Sequence, residues 1–350
     1  MHAVPLAPRT TLELGGAARH LAVLDDESSV PDLFWWSESR SLPVLILGGG
    51  SNLVIGDDGW DGLVLKVALR GIEHDRSAGR VTLRVGAGES WDELVAWTVG
   101  RGWAGIECLS GIPGSVGATP IQNVGAYGQE VADVITAVHV WDRRAKARRV
   151  LAADECGFGY RDSIFRRDPH AALVLAVELA LRPGGAPTLR YGELARALAG
   201  EATPSLAEVR QRVLELRRGK SMVIDPDDPN RRSAGSFFTN PVVQPAVAEA
   251  VVELAVREGI VDDAARVPRF ATDDGRVKIP AAWLIEASGL RKGWREGAVG
   301  ISSRHALALV HHGGGSTAEL LAFARRVRER VRERFGVELR PEPILAGAQW

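Results

Sequence analysis

The first hundred residues alternate short apolar runs with glycine-bearing turns, the period-two pattern of strands. Pro43–Leu47 (PVLIL) is followed by GGGSN, then by LVI, GLVLKV and RVTLRVGAG, which predicts a strand-dense region low in helix. A helix is predicted next, where Ser90 and Glu93 stand at capping-box spacing ahead of Leu94, Val95 and Trp97. The stretch from Gly102 to Gly128 is too long for a plain connection and too rich in small residues for a core element; loops of that length are usually functional. Beyond it, VITAVHVWD and ARRVLAA predict a hairpin about Asp142–Lys146, LVLAVELAL from Leu173 another strand, and Ser205 to Gly219 a helix. Pro, Asp and Gly then cluster in SMVIDPDDPNRRSAGS, which marks a domain boundary. Helical periodicity returns at 245–258, at 280–287 and in a long helix with Ser316 as N-cap and Glu319 three residues on. The end, VELRPEPIL, has β character and is expected to rejoin the first half.

Composition narrows the class. At 350 residues, 45% hydrophobic and 25% charged, the chain is an ordinary globular protein of two or three domains. Lys plus Arg number 43 against 44 Asp plus Glu, so no excess charge points to nucleic acid or an anionic membrane, and a small-molecule ligand is expected instead. Cys108 and Cys156 are far apart and in no CxxC pair, which argues against a disulfide framework or a zinc site. No signal peptide or bilayer-length apolar span is legible, and a cytoplasmic location is expected. His311 and His312 are adjacent, hence on opposite sides of a strand, with no carboxylate or cysteine at ligand spacing; no metal is expected.

The chemistry lies with glycine, which lets backbone N–H groups approach a pyrophosphate and accepts positive φ. GGGSN, residues 48–52, follows an apolar strand and reads equally as a phosphate cradle or a tight turn. GIPGSVGATPIQNVGAYG, residues 111–128, combines five glycines with Ser115, Gln122 and Asn123 and reads as a binding segment. Neither is a Rossmann fingerprint: Leu53 stands where the third glycine belongs, and LVI reads as strand where a helix is required. Gly219-Lys220-Ser221 imitates the end of a P-loop, but Leu214 occupies the first glycine position and the tripeptide ends a helix.

Three further strings, FGYRDSIF (158–165), AGSFFTNP (234–241) and RPEP (340–343), join LILGGGSN and IPGSVGATPIQNVGAYG. Together, in order and over nearly the whole chain, they resemble the UDP-N-acetylenolpyruvoylglucosamine reductase family. The resemblance implies an α+β fold: a vanillyl-alcohol-oxidase (PCMH)-type FAD-binding region of two α+β subdomains, residues 1–67 and 68–220, the latter joined by 337–350, and a separate substrate-binding domain, 221–336. It implies non-covalent FAD, NADPH as co-substrate, and UDP-N-acetylglucosamine enolpyruvate as the molecule reduced to UDP-N-acetylmuramate, by a monomer. NADPH would bind in the substrate cleft, consistent with the missing Rossmann fingerprint.

Residue by residue, the resemblance places FAD on Gly48, Gly49, Gly50, Ser51, Asn52, Ile112, Pro113, Gly114, Ser115, Gly117, Gln122, Asn123, Gly125, Ala126, Tyr127 and Arg217. The last reads equally as an arginine capping its own helix's carbonyls. Ser236 matches the proton donor, Arg161 the partner of the substrate carboxylate, and Glu342 a carboxylate that assists protonation. Read alone, these three would be a loop serine, a surface arginine and an edge-strand charge. Tyr160, Tyr191, Lys220, Asn240 and Lys292 match substrate contacts, with Tyr191 on a loop that closes over the nucleotide. Thr239 and His305 depart from relatives that carry a basic residue and a glutamine there. Two other readings stay open: an oxidase of the same flavin fold, which often holds FAD through a histidine near the glycine loop, and a flavin-free nucleotide-binding module. The first is weakened because His74 is the one histidine between Gly48 and Gly128.

Overall fold

A computed structural model describes residues 1–77, 79–200 and 203–350. The chain divides into two compact units: unit 1 comprises Met1–Val4, Ala18–Gly50 and Asp61–Ile224, and unit 2 comprises Pro5–Ala17, Ser51–Trp60 and Asp225–Trp350.

Unit 1 carries two large sheets, besides the short antiparallel pair Gly125–Ala126 and Gln129–Glu130. The first has four strands in the order His2–Pro5, Ala17–Leu24, Trp60–Val67, Val44–Leu47, with the PVLIL strand lying parallel to Trp60–Val67, Val44 opposite Leu63. The second is antiparallel: Ala147–Ala152, Ile135–Asp142, Ala172–Pro183, Arg80–Gly86 and Ile72–Ser77, with Trp103–Ala104 pairing the end of Ala172–Pro183. The expected hairpin closes with Asp142 opposite Ala147. Leu24, Leu63 and Leu65 from one sheet and Leu83, Val85, Leu175 and Val177 from the other belong to a single apolar cluster. The expected subdivision at residue 67 therefore falls inside one core. Fully burying each such side chain contributes roughly 1.5–3 kcal/mol. The first hundred residues also contain a helix that the strand-like pattern concealed, Val30–Glu38, opened by Pro31 in its first turn.

The helix expected after Ser90 forms at Trp91–Gly100, but the Ser90 side chain makes no cap bond. Ser90 instead bridges Ser115 by backbone, and the Trp91 N–H donates to the Gly114 carbonyl at 3.1 Å. The helix N-terminus is thus docked against the glycine-rich segment, which takes over the capping. Leu206–Gly219 follows the sequence reading: Ser205 and Glu208 form a reciprocal capping box.

Unit 2 is built from a four-stranded antiparallel sheet, in the order Ser233–Ser236, Ala308–His311, Val299–Ile301, Arg295–Glu296. A small three-stranded sheet and the helices Pro245–Arg257, Ala281–Ala287 and Thr317–Phe335 complete it. The long helix begins with the expected Ser316–Glu319 capping box, and the Asp57 carboxylate accepts from the N–H groups of Thr317 and Ala318 at 2.7 and 2.9 Å. A carboxylate there also complements the positive end of the helix dipole. Residues 337–350, expected with the flavin-binding half, lie in unit 2. The strand Ile344–Ala346 pairs in parallel with Leu53–Ile55, an early segment that itself belongs to unit 2. Among the described residues no helix is long and apolar enough to cross a membrane.

Candidate functional site

In unit 1 the two glycine segments lie back to back. A Cβ on Gly49 would fall 2.6 Å from the Gly114 Cα, one on Gly48 2.6 Å from Ser115 Oγ, and one on Gly117 2.5 Å from the Ala87 Cβ. At Gly49 the obstacle is backbone, so glycine is required for close approach. Lys66 donates its Nζ to the Gly48 carbonyl. On the other segment the Gly111 N–H donates to Asp92 Oδ1 at 2.5 Å, and Asp92 is held by a two-pronged pair with Arg210 at 2.5 and 2.9 Å. These bonds hold the Asp92 carboxyl below its ordinary pKa against the opposing effect of burial, which alone would raise it. Beneath Gly111 lies Arg217. It is buried, its Nη2 donates to the Met222 carbonyl at 2.6 Å, and its Nε has no partner among the described residues.

The second half of the segment turns through left-handed backbone at Asn123 (φ 44°) and Tyr127 (φ 48°), and Arg161 shares that conformation (φ 53°). Three non-glycine residues in this region within one cluster point to a functional constraint. The Arg161 guanidinium donates to the carbonyls of Gly125 at 2.6 Å and Asn123 at 3.3 Å, and lies 5.4 Å from the centre of the Tyr160 ring. A Cβ on Gly125 would come within 3.1 Å of Arg161 Nη1, so glycine makes room for the cation. Tyr127 meets Tyr191 edge-on at 5.5 Å, with Lys220 Nζ 5.7 Å from the Tyr127 ring and 2.6 Å from Glu193. Burial pushes the Tyr127 hydroxyl up to about 12, so it is a neutral donor at working pH.

Several expected ligand positions also have structural work. Asn123 is buried; its amide donates to Glu130 and to the Gly159 carbonyl, and its Oδ1 accepts from the Ala132 N–H. Its side chain ties three loops together. Gln122 accepts from Arg166 at 3.1 Å. Ile112 and Ala126 pack on the apolar cluster. The GGGSN string is divided, since Gly48 to Gly50 belong to unit 1 while Ser51 and Asn52 belong to unit 2, where the Asn52 carbonyl accepts from the Ile344 N–H at 3.0 Å.

In unit 2 the structure brings the segments carrying Ser236 and Glu342 side by side. The Glu342 N–H donates to the Phe237 carbonyl at 2.8 Å, Phe238 bridges Pro341, and the Thr239 N–H donates to the Arg340 carbonyl at 3.1 Å. Ser236 follows a bulge: Ser233 faces Val310 and Ser236 faces Ala308, with Gly235 at φ 73° absorbing the extra residue. Such a bulge re-aims the next side chain and explains the glycine of AGS. Phe237 and Phe238 are buried and pack edge-on at 5.1 Å, fixing the strand beneath the serine. The Asn240 side chain accepts from the Ala281 N–H at 2.9 Å and so caps a helix. Lys292 is exposed, 3.5 Å from Glu286. The His311 ring is engaged with the Leu12 carbonyl and the Gly315 N–H.

Residues 18–150 match the family profile described as FAD binding domain, and residues 227–346 the one described as UDP-N-acetylenolpyruvoylglucosamine reductase, C-terminal domain. The UDP-N-acetylenolpyruvoylglucosamine reductase of Salinispora arenicola is 48% identical over 348 residues, covering 97% of this chain and 94% of its own length. That of Thermobifida fusca is 47% identical over 351 residues, covering 98% and 97%. The chain belongs to the UDP-N-acetylenolpyruvoylglucosamine reductase family. The crystal structure of the family member from Thermus caldophilus superimposes with a TM-score of 0.65 at 27% identity, covering 98% of this chain and 97% of that one.

For a member of this family the cofactor is FAD, and unit 1 fits it. The glycine segments pack with no room for side chains between them, which leaves main-chain groups to hold a diphosphate, and Arg217 keeps a buried, incompletely paired cation beside Gly111. The sequence reading missed the supports of this arrangement. Lys66 sits in a strand and Asp92 in a helix's first turn, and neither carries a motif. The buried Glu107 carboxylate accepts from the Gly105 N–H, Gln129 Nε2 and the Thr188 N–H, and Gln129 in turn accepts from the Cys108 N–H. A charged residue within the apolar run GIECL is the signal that marks such a network.

Proposed function

We propose that the protein catalyses the NADPH-dependent reduction of UDP-N-acetylglucosamine enolpyruvate to UDP-N-acetylmuramate, a step of peptidoglycan synthesis, with Ser236 as proton donor. The adjacency of the segments carrying Ser236 and Glu342 supports the reading, because it joins strings more than one hundred residues apart in sequence by backbone hydrogen bonds. FAD, when bound, supplies the hydride relay between NADPH and the vinyl carbon of the substrate.

The residues of the chain do the rest. Gly48, Gly49, Gly114 and Gly117 would hold the flavin by backbone contact, and Arg217 by charge. Ser236 delivers its hydroxyl proton to the carbon that becomes negative, and Glu342 assists that transfer; a serine needs this assistance because its hydroxyl is a poor acid. Arg161 pairs with the substrate carboxylate, on which the developing charge is delocalised. Its guanidinium is set in place by the Gly125 and Asn123 carbonyls before substrate arrives, so its charge is preorganised for the transition state. Tyr191 and Lys220 face the uridine diphosphate, with Tyr160, Asn240 and Lys292 as further contacts. The protein acts as a cytoplasmic monomer in this reading, and sedimentation at working concentration checks the oligomeric state.

Ser236→Ala tests the proposal. Anaerobic bleaching of the flavin by NADPH should proceed as in the wild type, while reoxidation by the enolpyruvyl substrate slows about 10²–10⁴-fold, the usual contribution of a positioned acid. Reoxidation at the wild-type rate removes Ser236 from the mechanism.

A further inference from the structure

A cavity of about 280 Å³ opens in unit 1 at the Arg182 end of the strand Ala172–Pro183, and none of its lining residues is among those assigned to FAD, substrate or proton transfer. Small residues make the space: Ala104, Gly105 and Ala180 line it, and Gly105 holds φ 142°. A Cβ on Gly105 would come within 3.0 Å of Leu181 Cδ2 and Val134 Cγ1, so no larger residue fits there without displacing them.

Around that space the polar groups are of one kind. Arg80, Arg182 and Arg190 reach it from three different parts of unit 1, and among the described residues none of the three forms an ion pair. Thr188 Oγ1 accepts from Gln129 Nε2 at 3.0 Å, and its own hydrogen has no acceptor among the described residues. Gln129 itself is fully spent on Glu107, Thr188 and the Cys108 N–H, which fixes the Thr188 hydroxyl in place. Asp133 supplies the one carboxylate of the lining, and it accepts from the Glu130 N–H at 3.1 Å. Three guanidinium groups and a hydroxyl donor against one carboxylate is a donor-rich, cationic set.

We propose that this cavity is a second small-molecule site, for the phosphomonoester of a small polyol. Guanidinium forks match phosphate oxygens in geometry and charge, and the Thr188 hydroxyl adds a neutral donor. Asp133 excludes a ligand that is anionic throughout and accepts from hydroxyls on the uncharged end. At about 280 Å³ the cavity lies just below the usual range of ligand pockets, about 300–1,000 Å³, which suits a phosphorylated sugar and not a dinucleotide.

Calorimetric titration of the FAD-loaded protein with glucose 6-phosphate, in saturating uridine diphosphate to occupy the substrate's own phosphate positions, tests the site. One glucose 6-phosphate is expected to bind per chain, with glucose itself giving no signal. Arg182→Gln and Arg190→Gln, both exposed positions that leave the fold intact, should each weaken binding about tenfold or more, as expected for loss of a hydrogen bond to a charged group. Absence of binding to the wild-type protein, or unchanged affinity in both variants, overturns the proposal.

Discussion

Arg161 shows how much one side chain depends on its setting. Its backbone is left-handed, its guanidinium lies on two carbonyls of the glycine-rich segment, and Gly125 has no side chain to obstruct it. Lysine would keep the charge and lose the planar fork. Arg161→Lys is therefore expected to lower kcat/KM for the enolpyruvyl substrate about 10–100-fold, the worth of one charge-assisted hydrogen bond. Bleaching of the flavin by NADPH alone should keep its wild-type rate, and unchanged steady-state turnover and affinity would contradict the assignment. The string FGYRDSIF made Arg161 legible as a candidate, yet nothing in it announces a positive φ, because the strain is stabilised by Asn123, distant in sequence. Asn123 was legible for its place in the glycine-rich segment, but the side-chain bonds by which it ties three loops together were not, because its partners lie on other segments.

Among the elements, the contact between the glycine segments is the narrowest tolerance in unit 1. Gly49→Ala places a Cβ 2.6 Å from the Gly114 Cα, where only backbone movement relieves the clash. Overpacking of this kind costs about 1–3 kcal/mol, so flavin retention on dialysis should fall by roughly 5–150-fold in affinity. The circular dichroism spectrum should stay native, and full flavin occupancy at wild-type affinity would show that the segments do not act as one cradle. Sequence periodicity located the strands and helices on either side, since their apolar faces repeat locally. Pairing between distant segments was not legible. Ser90 has the right identity and spacing for a cap, but the Gly114 carbonyl reaches the helix end first; the helix Val30–Glu38 is too short and too apolar to separate from a strand by period alone.

At the scale of the molecule, the end of the chain belongs with its beginning. The Ile344–Ala346 strand pairs with Leu53–Ile55, and Trp350 packs at 6.2 and 6.1 Å on Phe237 and Phe238, beside Ser236. Deleting residues 344–350 removes both contacts and is expected to cost at least about 3 kcal/mol, the price of losing a packed aromatic alone. A fall in the melting temperature of unit 2 measures it, and an unaltered melt would show the last strand to be dispensable. During synthesis the segment Leu53–Ile55 is made about 290 residues ahead of its parallel mate, Ile344–Ala346. At about 5–20 residues per second the interval is on the order of tens of seconds. For that time the nascent chain carries an unmated edge, which invites either a chaperone or a neighbouring chain, and emergence of Ile344–Ala346 is the event that closes it.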